Sequence, residues 1–195
     1  MAYPLKFKSI YKDKIWGGIK IKTFLNKDFG ELPNCGETWE LSVVPGDISV
    51  VSNGHWKGRD LKSLISQNGA AIMGIELYEK FGSDFPLLIK FIDANKDLSI
   101  QVHPDDSLAK KRHQGSGKTE MWYVLQADKQ ASLITGFNKS VSREEYLIKL
   151  EKEGKVSDIN SFEKSGFILR PLFLCFALID KLESVFANSR IWSKD

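Results

Sequence analysis

The alternation of apolar and polar residues predicts that much of this chain forms short β-strands. The stretches with strand character are residues 4–10, 35–46, 48–54, 86–93, 98–103, 119–125 and 131–137. Three other stretches have helical character, namely residues 60–67, 105–114 and 143–153. Many short strands with a few helices favour a β-sandwich or barrel that carries helical additions.

Two neighbouring stretches of strand character carry the side chains best suited to bind a metal. Alternation in residues 98–103 directs Ser99, Gln101 and His103 to one face. Glu120 lies in the next such stretch. If the two strands are neighbours, Gln101, His103 and Glu120 can converge on a divalent metal, and the histidine favours zinc. The alternative remains that a lone histidine and a lone glutamate have structural roles.

Three further positions stand out. Trp16 precedes two glycines, and this pattern alone favours a packing tryptophan at a bend. Lys90 interrupts an apolar strand, so its side chain either extends to the sheet edge or reaches into a pocket. Lys118 follows a glycine-rich turn that resembles a P-loop, but Arg112 occupies the position of the first glycine. We therefore reject nucleotide binding there, and Lys118 remains a cation suited to a phosphate or an anionic oxygen.

Composition narrows the class of protein. The net charge of +3 is small and the lysines are spread along the chain, which argues against nucleic-acid binding. Cys35 and Cys175 lie far apart and are expected to be reduced thiols. The apolar run at residues 167–179 is interrupted by Arg170 and Pro171 and falls short of the roughly 18 residues of a membrane span. The N-terminal residues lack the apolar region of a signal peptide, so we expect a cytoplasmic protein.

Several sequence strings resemble one enzyme family. KFIDANKDLSIQVHPDD and GSGKTEMWYVL resemble type I mannose-6-phosphate isomerases (phosphomannose isomerases) of the short bacterial form, and IWGG, GETWELS and TGFNKSVSREEY fit the same family. The resemblance covers residues 4–160. It implies that residues 1–160 form the N-terminal part of a catalytic domain that is mainly β, a cupin-like jelly-roll β-barrel with added helices.

The resemblance also implies a function and a set of site residues. The expected enzyme is a zinc-dependent isomerase that interconverts mannose 6-phosphate and fructose 6-phosphate. Its expected partner is a small sugar phosphate, and neither nucleic-acid binding nor membrane binding is expected. By matching motif, His103 and Glu120 are expected to bind zinc, with Gln101 as a further, weaker ligand. The positions expected to bind substrate are Trp16, Glu40, Lys90, Ser99 and Lys118. Lys118 is also the candidate catalytic residue.

Residues 161–195 depart from the family pattern. Family members continue with another zinc histidine and an arginine usually assigned as catalytic, and neither motif occurs in this stretch. We interpret residues 161–195 as a divergent tail foreign to the fold. The expectation is a barrel incomplete at its C-terminus and a chain with little or no isomerase activity. The alternatives are a non-catalytic cupin-like sugar-phosphate binding module or an inactive relic, and zinc content discriminates the enzyme from the module.

Overall fold

A computed structural model describes residues 3–98, 103–114, 117–129, 131, 140, 142–153 and 171–179. The strands are β1 (Ile10–Lys12), β2 (Glu37–Leu41), β3 (Val43–Val44), β4 (Asp47–Ile48), β5 (Leu87–Asp93), β6 (Lys118–Ala127) and β7 (Pro171–Ile179). The helices are α1 (Lys20–Thr23), α2 (Leu61–Met73), α3 (Ile75–Phe81), α4 (Asp106–His113) and α5 (Arg143–Glu153). Antiparallel strands with added helices are thus confirmed.

The described strands form a five-stranded antiparallel sheet in the order β1-β2-β5-β7-β6. The pairing contains two irregularities, one between Trp39 and Leu41 of β2 and one between Val124 and Gln126 of β6. Strands β3 and β4 form a separate hairpin around Gly46, whose positive φ of 84° suits glycine at this turn. The turn predicted at Pro45-Gly46 is therefore present.

Strand β7 comes from the stretch interpreted as a divergent tail. It pairs with β5 on one side and with β6 on the other, so it joins the two parts of the sheet. The apolar run of the sequence thus contains a strand. No helix within the described ranges is long and apolar enough to cross a membrane.

Helix α2 shows how local sequence sets an element's limits. The Asp60 side chain accepts a hydrogen bond from the Ser63 N–H at 2.8 Å, which caps the helix at its N-terminus. Leu61, Leu64 and Ile65 recur at helical spacing and are buried. Leu61 and Ile65 pack with Val43 and neighbouring apolar groups. The helix continues beyond the predicted residues 60–67 through a kink at Asn68, and the sequence analysis did not anticipate α3.

The sheet separates two apolar clusters. One contains Ile92 with Trp16, Leu98 and Trp122 packed around it. The other contains the buried Ile21, Phe29 and Cys35, together with Phe91 and Leu125. Because Phe91 and Ile92 are consecutive in β5, their side chains point to opposite sides of the sheet. Cys35 is a free, buried thiol.

Candidate functional site

The candidate site lies on one face of the sheet. Directly opposed residues of antiparallel strands point to the same side. Lys90 of β5 and Trp122 of β6 both oppose Cys175 of β7, so they share a face. Alternation along β6 adds Lys118 and Glu120 to it. We call this side, which carries Lys90, Lys118, Glu120 and Trp122, the site face, and the side that carries Phe91 the opposite face.

A glycine brings His103 next to β6. A Cβ atom on Gly117 would lie 2.7 Å from the backbone of Asp105 and Asp106 and 2.9 Å from the Pro104 carbonyl oxygen. The Gly117 N–H also donates a hydrogen bond to Asp106 Oδ1 at 2.8 Å. Only glycine permits this close approach of the two chain segments. As a result, Lys118, which follows Gly117 and begins β6, lies beside His103.

His103, Lys118 and Glu120 form one cluster. His103 Nε2 lies 3.4 Å from Glu120 Oε2, and Lys118 Nζ lies 2.5 Å from Glu120 Oε1. Lys118 Nζ is also 3.4 Å from His103 Nε2. The side chains are 24%, 11% and 19% exposed, respectively, so the cluster is largely withdrawn from water while remaining accessible. The structure thus brings His103 and Glu120 together.

The cluster keeps Glu120 ionised. Burial by itself raises the pKa of this carboxyl, but hydrogen bonds and charge interactions with His103 and Lys118 outweigh burial and lower the pKa to about 2. Glu120 is therefore an anion at neutral pH. A buried carboxylate beside an imidazole and an ammonium is able to hold a cation or to position charged groups around a reacting molecule.

Lys90 reaches into the site face rather than to an edge. Its Nζ lies 3.2 Å from Glu37 Oε1, and the two side chains are 13% and 12% exposed. Glu37 Oε2 accepts a second hydrogen bond, from Trp39 Nε1 at 2.7 Å. Burial raises the pKa of Glu37, but the Lys90 charge, Trp39 and Lys14 lower it overall. Glu37 is a site residue that the sequence analysis missed, although alternation with Trp39 was a signal for it.

Glu40 is not brought to this cluster. Its carboxylate accepts hydrogen bonds from Ser9 at 3.1 Å and from Thr38, and it pairs with Lys27 Nζ at 2.9 Å. Thr38 opposes Phe91, so this group lies on the opposite face. The assignment of Glu40 to a substrate pocket shared with Lys90 therefore disagrees with the structure, because strand alternation separates the two side chains.

Among the other predicted site residues, the structure describes only Trp16. The Trp16 side chain packs against Ile92, as Trp122 does, and therefore lies on the site face. A Cβ atom on Gly36 would be 2.8 Å from Trp16 Cζ3, so the ring also lies directly over this glycine. Ser99 and Gln101 lie outside the described residues.

The spacing of His103 and Glu120 fits zinc. Two ligand atoms at about 2.0–2.1 Å from a tetrahedral zinc are separated by about 3.3–3.4 Å, and His103 Nε2 and Glu120 Oε2 are 3.4 Å apart. The pair also has suitable chemistry, since imidazole nitrogen and carboxylate oxygen are both common zinc ligands. Within the ranges that the structure describes, no group of three or more His, Cys, Asp or Glu residues is placed to hold a metal.

Comparisons with known proteins place the chain in one enzyme family. Residues 5–140 match the family model "Phosphomannose isomerase type I, catalytic domain". Mannose-6-phosphate isomerase of Streptococcus mutans is 42% identical over 149 residues, which cover 74% of this chain and 44% of the relative. The crystal structure of mannose 6-phosphate isomerase from Bacillus subtilis superposes with a TM-score of 0.72 at 27% identity, covering 91% of this chain and 59% of that one.

A further structure, titled mannose 6-phosphate isomerase (holo; zinc bound), aligns with a TM-score of 0.55 at 20% identity over 63% of this chain and 36% of that one, which shows likeness of fold alone. The family model spans well over half of the chain. The chain therefore belongs to the type I phosphomannose isomerase catalytic-domain family. It spans less than half the length of the Streptococcus mutans relative.

Proposed function

We propose that the site face carries the catalytic machinery of a zinc-dependent isomerase that interconverts mannose 6-phosphate and fructose 6-phosphate. The observation that carries the proposal is the convergence of His103 and Glu120 at 3.4 Å on a partly buried face of the sheet. Membership of the family supplies the substrate class, a sugar phosphate. His103 and Glu120 would hold the zinc, with Gln101 proposed as a third ligand from its place in the QVHP motif.

The residues of the chain account for the chemistry that this reaction needs. Isomerisation moves a proton between C2 and C1 of the sugar, and negative charge develops on the neighbouring oxygens. Zinc, when bound, supplies a Lewis acid that polarises these oxygens. The Lys118 ammonium lies beside both proposed ligands and is positioned to stabilise the developing charge. We therefore propose Lys118 as the catalytic residue.

The remaining side chains of the site face would bind and orient the sugar phosphate. Lys90 is held by Glu37 at 3.2 Å, which orients its ammonium group before substrate arrives. The Trp16 ring offers an apolar wall on the same face. Ser99 is proposed as a hydroxyl donor from its motif alone. Glu37 replaces Glu40 in this proposal, because Glu37 contacts Lys90 and Glu40 does not share its face.

We also propose that the described antiparallel sheet is one part of a cupin-like jelly-roll β-barrel. The support is the likeness to the Bacillus subtilis isomerase structure, which extends over 91% of this chain. The sheet ends at β6 within the described residues, so completion of a barrel requires strands beyond those seen here.

The test measures zinc content and turnover of mannose 6-phosphate on the purified chain. We expect about one zinc per chain after loading, and an affinity at least about tenfold lower in Glu120→Gln, because a direct ligand is lost. Glu40→Gln is the matched control and should leave zinc affinity unchanged, since Glu40 lies on the opposite face. Equal zinc binding by the parent chain and Glu120→Gln would contradict the metal proposal. A parent chain that binds no zinc would favour a binding module, which needs no complete metal site.

A further inference from the structure

We infer that Asp93 is a positioning residue, whose carboxylate on the opposite face fixes the segment 16–20 and thereby holds the Trp16 ring on the site face. The side chain of Asp93 is completely buried at the end of β5. Among the described residues, it contacts none of the reacting groups proposed above, so its effect on the site is indirect. The consequence for sugar-phosphate binding rests on the proposed function, whereas the consequence for Trp16 does not.

The Asp93 side chain accepts a hydrogen bond from the backbone of α1. Asp93 Oδ2 accepts the Lys20 N–H at 2.6 Å, which is a short bond of the kind that charged acceptors make. The other oxygen, Oδ1, is buried without a hydrogen-bond partner among the described residues. A buried carboxylate oxygen without a donor is costly. An aspartate at this position is therefore not explained by packing alone.

Gly18 fits closely against the carboxylate. A Cβ atom on Gly18 would lie 2.5 Å from Asp93 Oδ2 and 2.9 Å from its Cγ. Gly18 is also tied to the sheet, since its carbonyl oxygen accepts the Cys35 N–H at 2.9 Å. The carboxylate thus holds the chain on both sides of residue 19, through contact with Gly18 and through the bond to Lys20.

Backbone hydrogen bonds connect this segment with the site. The Trp16 carbonyl oxygen accepts the N–H groups of Asn95 and Lys96 at 2.9 and 3.1 Å, immediately after Asp93. The Asp93 N–H in turn donates to the Gly36 carbonyl oxygen at 2.8 Å. Backbone bonds and the carboxylate therefore hold residues 16–20 at both ends. The indole ring that they position lies over Gly36 and against Ile92, on the other side of the sheet.

The test labels the five tryptophans with 5-fluorotryptophan and follows their ¹⁹F resonances in the 195-residue chain. The Trp16 and Trp56 signals are assigned by replacing each with phenylalanine. In Asp93→Ala we expect the Trp16 resonance to move by more than its line width. The Trp56 resonance should stay in place, because Trp56 packs against Tyr3 and His55 instead. Asp84→Ala, which removes an exposed carboxylate, is the matched control and should move neither.

Asp93→Asn provides a second measurement if Asp93→Ala does not fold. The amide oxygen of asparagine can still accept the Lys20 N–H, but as a neutral acceptor it binds more weakly. The Lys20 amide should then exchange with solvent about fivefold to tenfold faster, and the Trp16 resonance should broaden with it. The inference is overturned if Trp16 is unchanged in a folded Asp93→Ala chain, if Trp16 and Trp56 move equally, or if faster exchange at Lys20 leaves the Trp16 line unchanged.

Addition of mannose 6-phosphate separates this inference from the proposed function. A Trp16 resonance that responds to the sugar phosphate in the parent chain, and responds only at higher concentration in Asp93→Ala, would support both. A Trp16 resonance that ignores the sugar phosphate but still moves in Asp93→Ala would count against the proposed function and leave the positioning role intact.

Discussion

On the two faces of the sheet, the pKa of a buried carboxyl group is shifted in opposite directions. On the site face, Glu120 lies beside His103 and Lys118, which lower its pKa to about 2 despite its burial. On the opposite face, burial raises the pKa of Asp93, and the bonds to the backbone of α1 and the charge of Lys20 do not compensate fully. Both residues are acidic and both are withdrawn from water. Their difference lies in the partners that each face supplies.

The two faces of this sheet therefore differ in role: one carries the candidate site, and the other supports the structure. On the site face, charged side chains form ion pairs with one another, in the groups Glu37–Lys90 and His103–Lys118–Glu120, and they remain partly accessible. The opposite face packs apolar side chains around Ile21 and uses its buried carboxylate to hold backbone. Four predictions test this difference between the two faces.

Loss of one member of the buried ion pair on the site face should have the largest effect. In Glu37→Ala the Lys90 ammonium, 13% exposed, loses the carboxylate at 3.2 Å. Breaking a buried pair in this way costs about 3–5 kcal/mol, which urea unfolding would measure. The double variant Glu37→Ala/Lys90→Met removes both charges and should recover most of that loss. Equal stability of the single and double variants would show that this charge pair is not the source of the effect.

Truncation in the core of the opposite face should cost slightly less. Ile21 is completely buried beside Phe29 and Cys35. Ile21→Ala should lower the free energy of unfolding by about 2–5 kcal/mol, because it removes buried methyl groups and leaves a cavity. Ile15→Ala is the matched control, since Ile15 is 92% exposed, and should leave stability nearly unchanged. Similar losses in both variants would contradict the placement of the core.

The two carboxylates should affect the pH dependence of stability with opposite signs in the metal-free chain. The lowered pKa of Glu120 means that its stabilising contribution is present above its unfolded pKa and is lost as the pH falls toward about 2. The raised pKa of Asp93 means that stability is lost as the pH rises through its folded value. Since one unit of pKa difference corresponds to about 1.4 kcal/mol, the shift of Glu120 from 4.5 to about 2 corresponds to about 3 kcal/mol.

Unfolding measured from acid to neutral pH would reveal these signs. Glu120→Gln should reduce the loss of stability at low pH. Asp93→Asn should remove the decrease in stability that accompanies ionisation of Asp93 as the pH rises. The comparison between the two faces would fail if both variants changed the profile in the same direction.

The smallest effect is expected at a helix end remote from both faces. Asp60→Ala removes the acceptor of the Ser63 N–H at 2.8 Å and should cost about 1 kcal/mol. Asp60→Asn keeps an acceptor oxygen and should stay close to the parent chain in thermal unfolding. A similar loss in both variants would indicate that the charge of Asp60, and not the cap, stabilises α2.

Local elements were predictable where local chemistry decides them. The Asp105 cap begins α4 and accepts the Leu108 N–H at 2.8 Å. The predicted helix at residues 143–153 matches α5, and the strand at residues 119–125 lies within β6. These elements depend on caps and periodicity within a few residues. The convergence of His103 and Glu120 was also predictable, because both lie at neighbouring segments with a short connection.

Long-range pairing was not predictable in the same way. The alternation in β2 separates Glu37 from Glu40, but the sequence does not say which of the two shares a face with Lys90. The pairing of Trp39 with Lys90 decides for Glu37, and the irregularity between Trp39 and Leu41 follows directly after it. The position of β7 between β5 and β6 likewise depends on partners more than forty residues distant in sequence.

The family, the helix caps, the alternation along the strands and the residue types of the proposed zinc site can all be read from the sequence. These follow from motifs and from interactions between near neighbours in the chain. The tertiary structure alone decided that Glu37 holds Lys90, that residues 171–179 join the sheet, and that Asp93 fixes the Trp16 segment from the opposite face. Those outcomes depend on register and burial, which arise only when distant strands pair and exclude water.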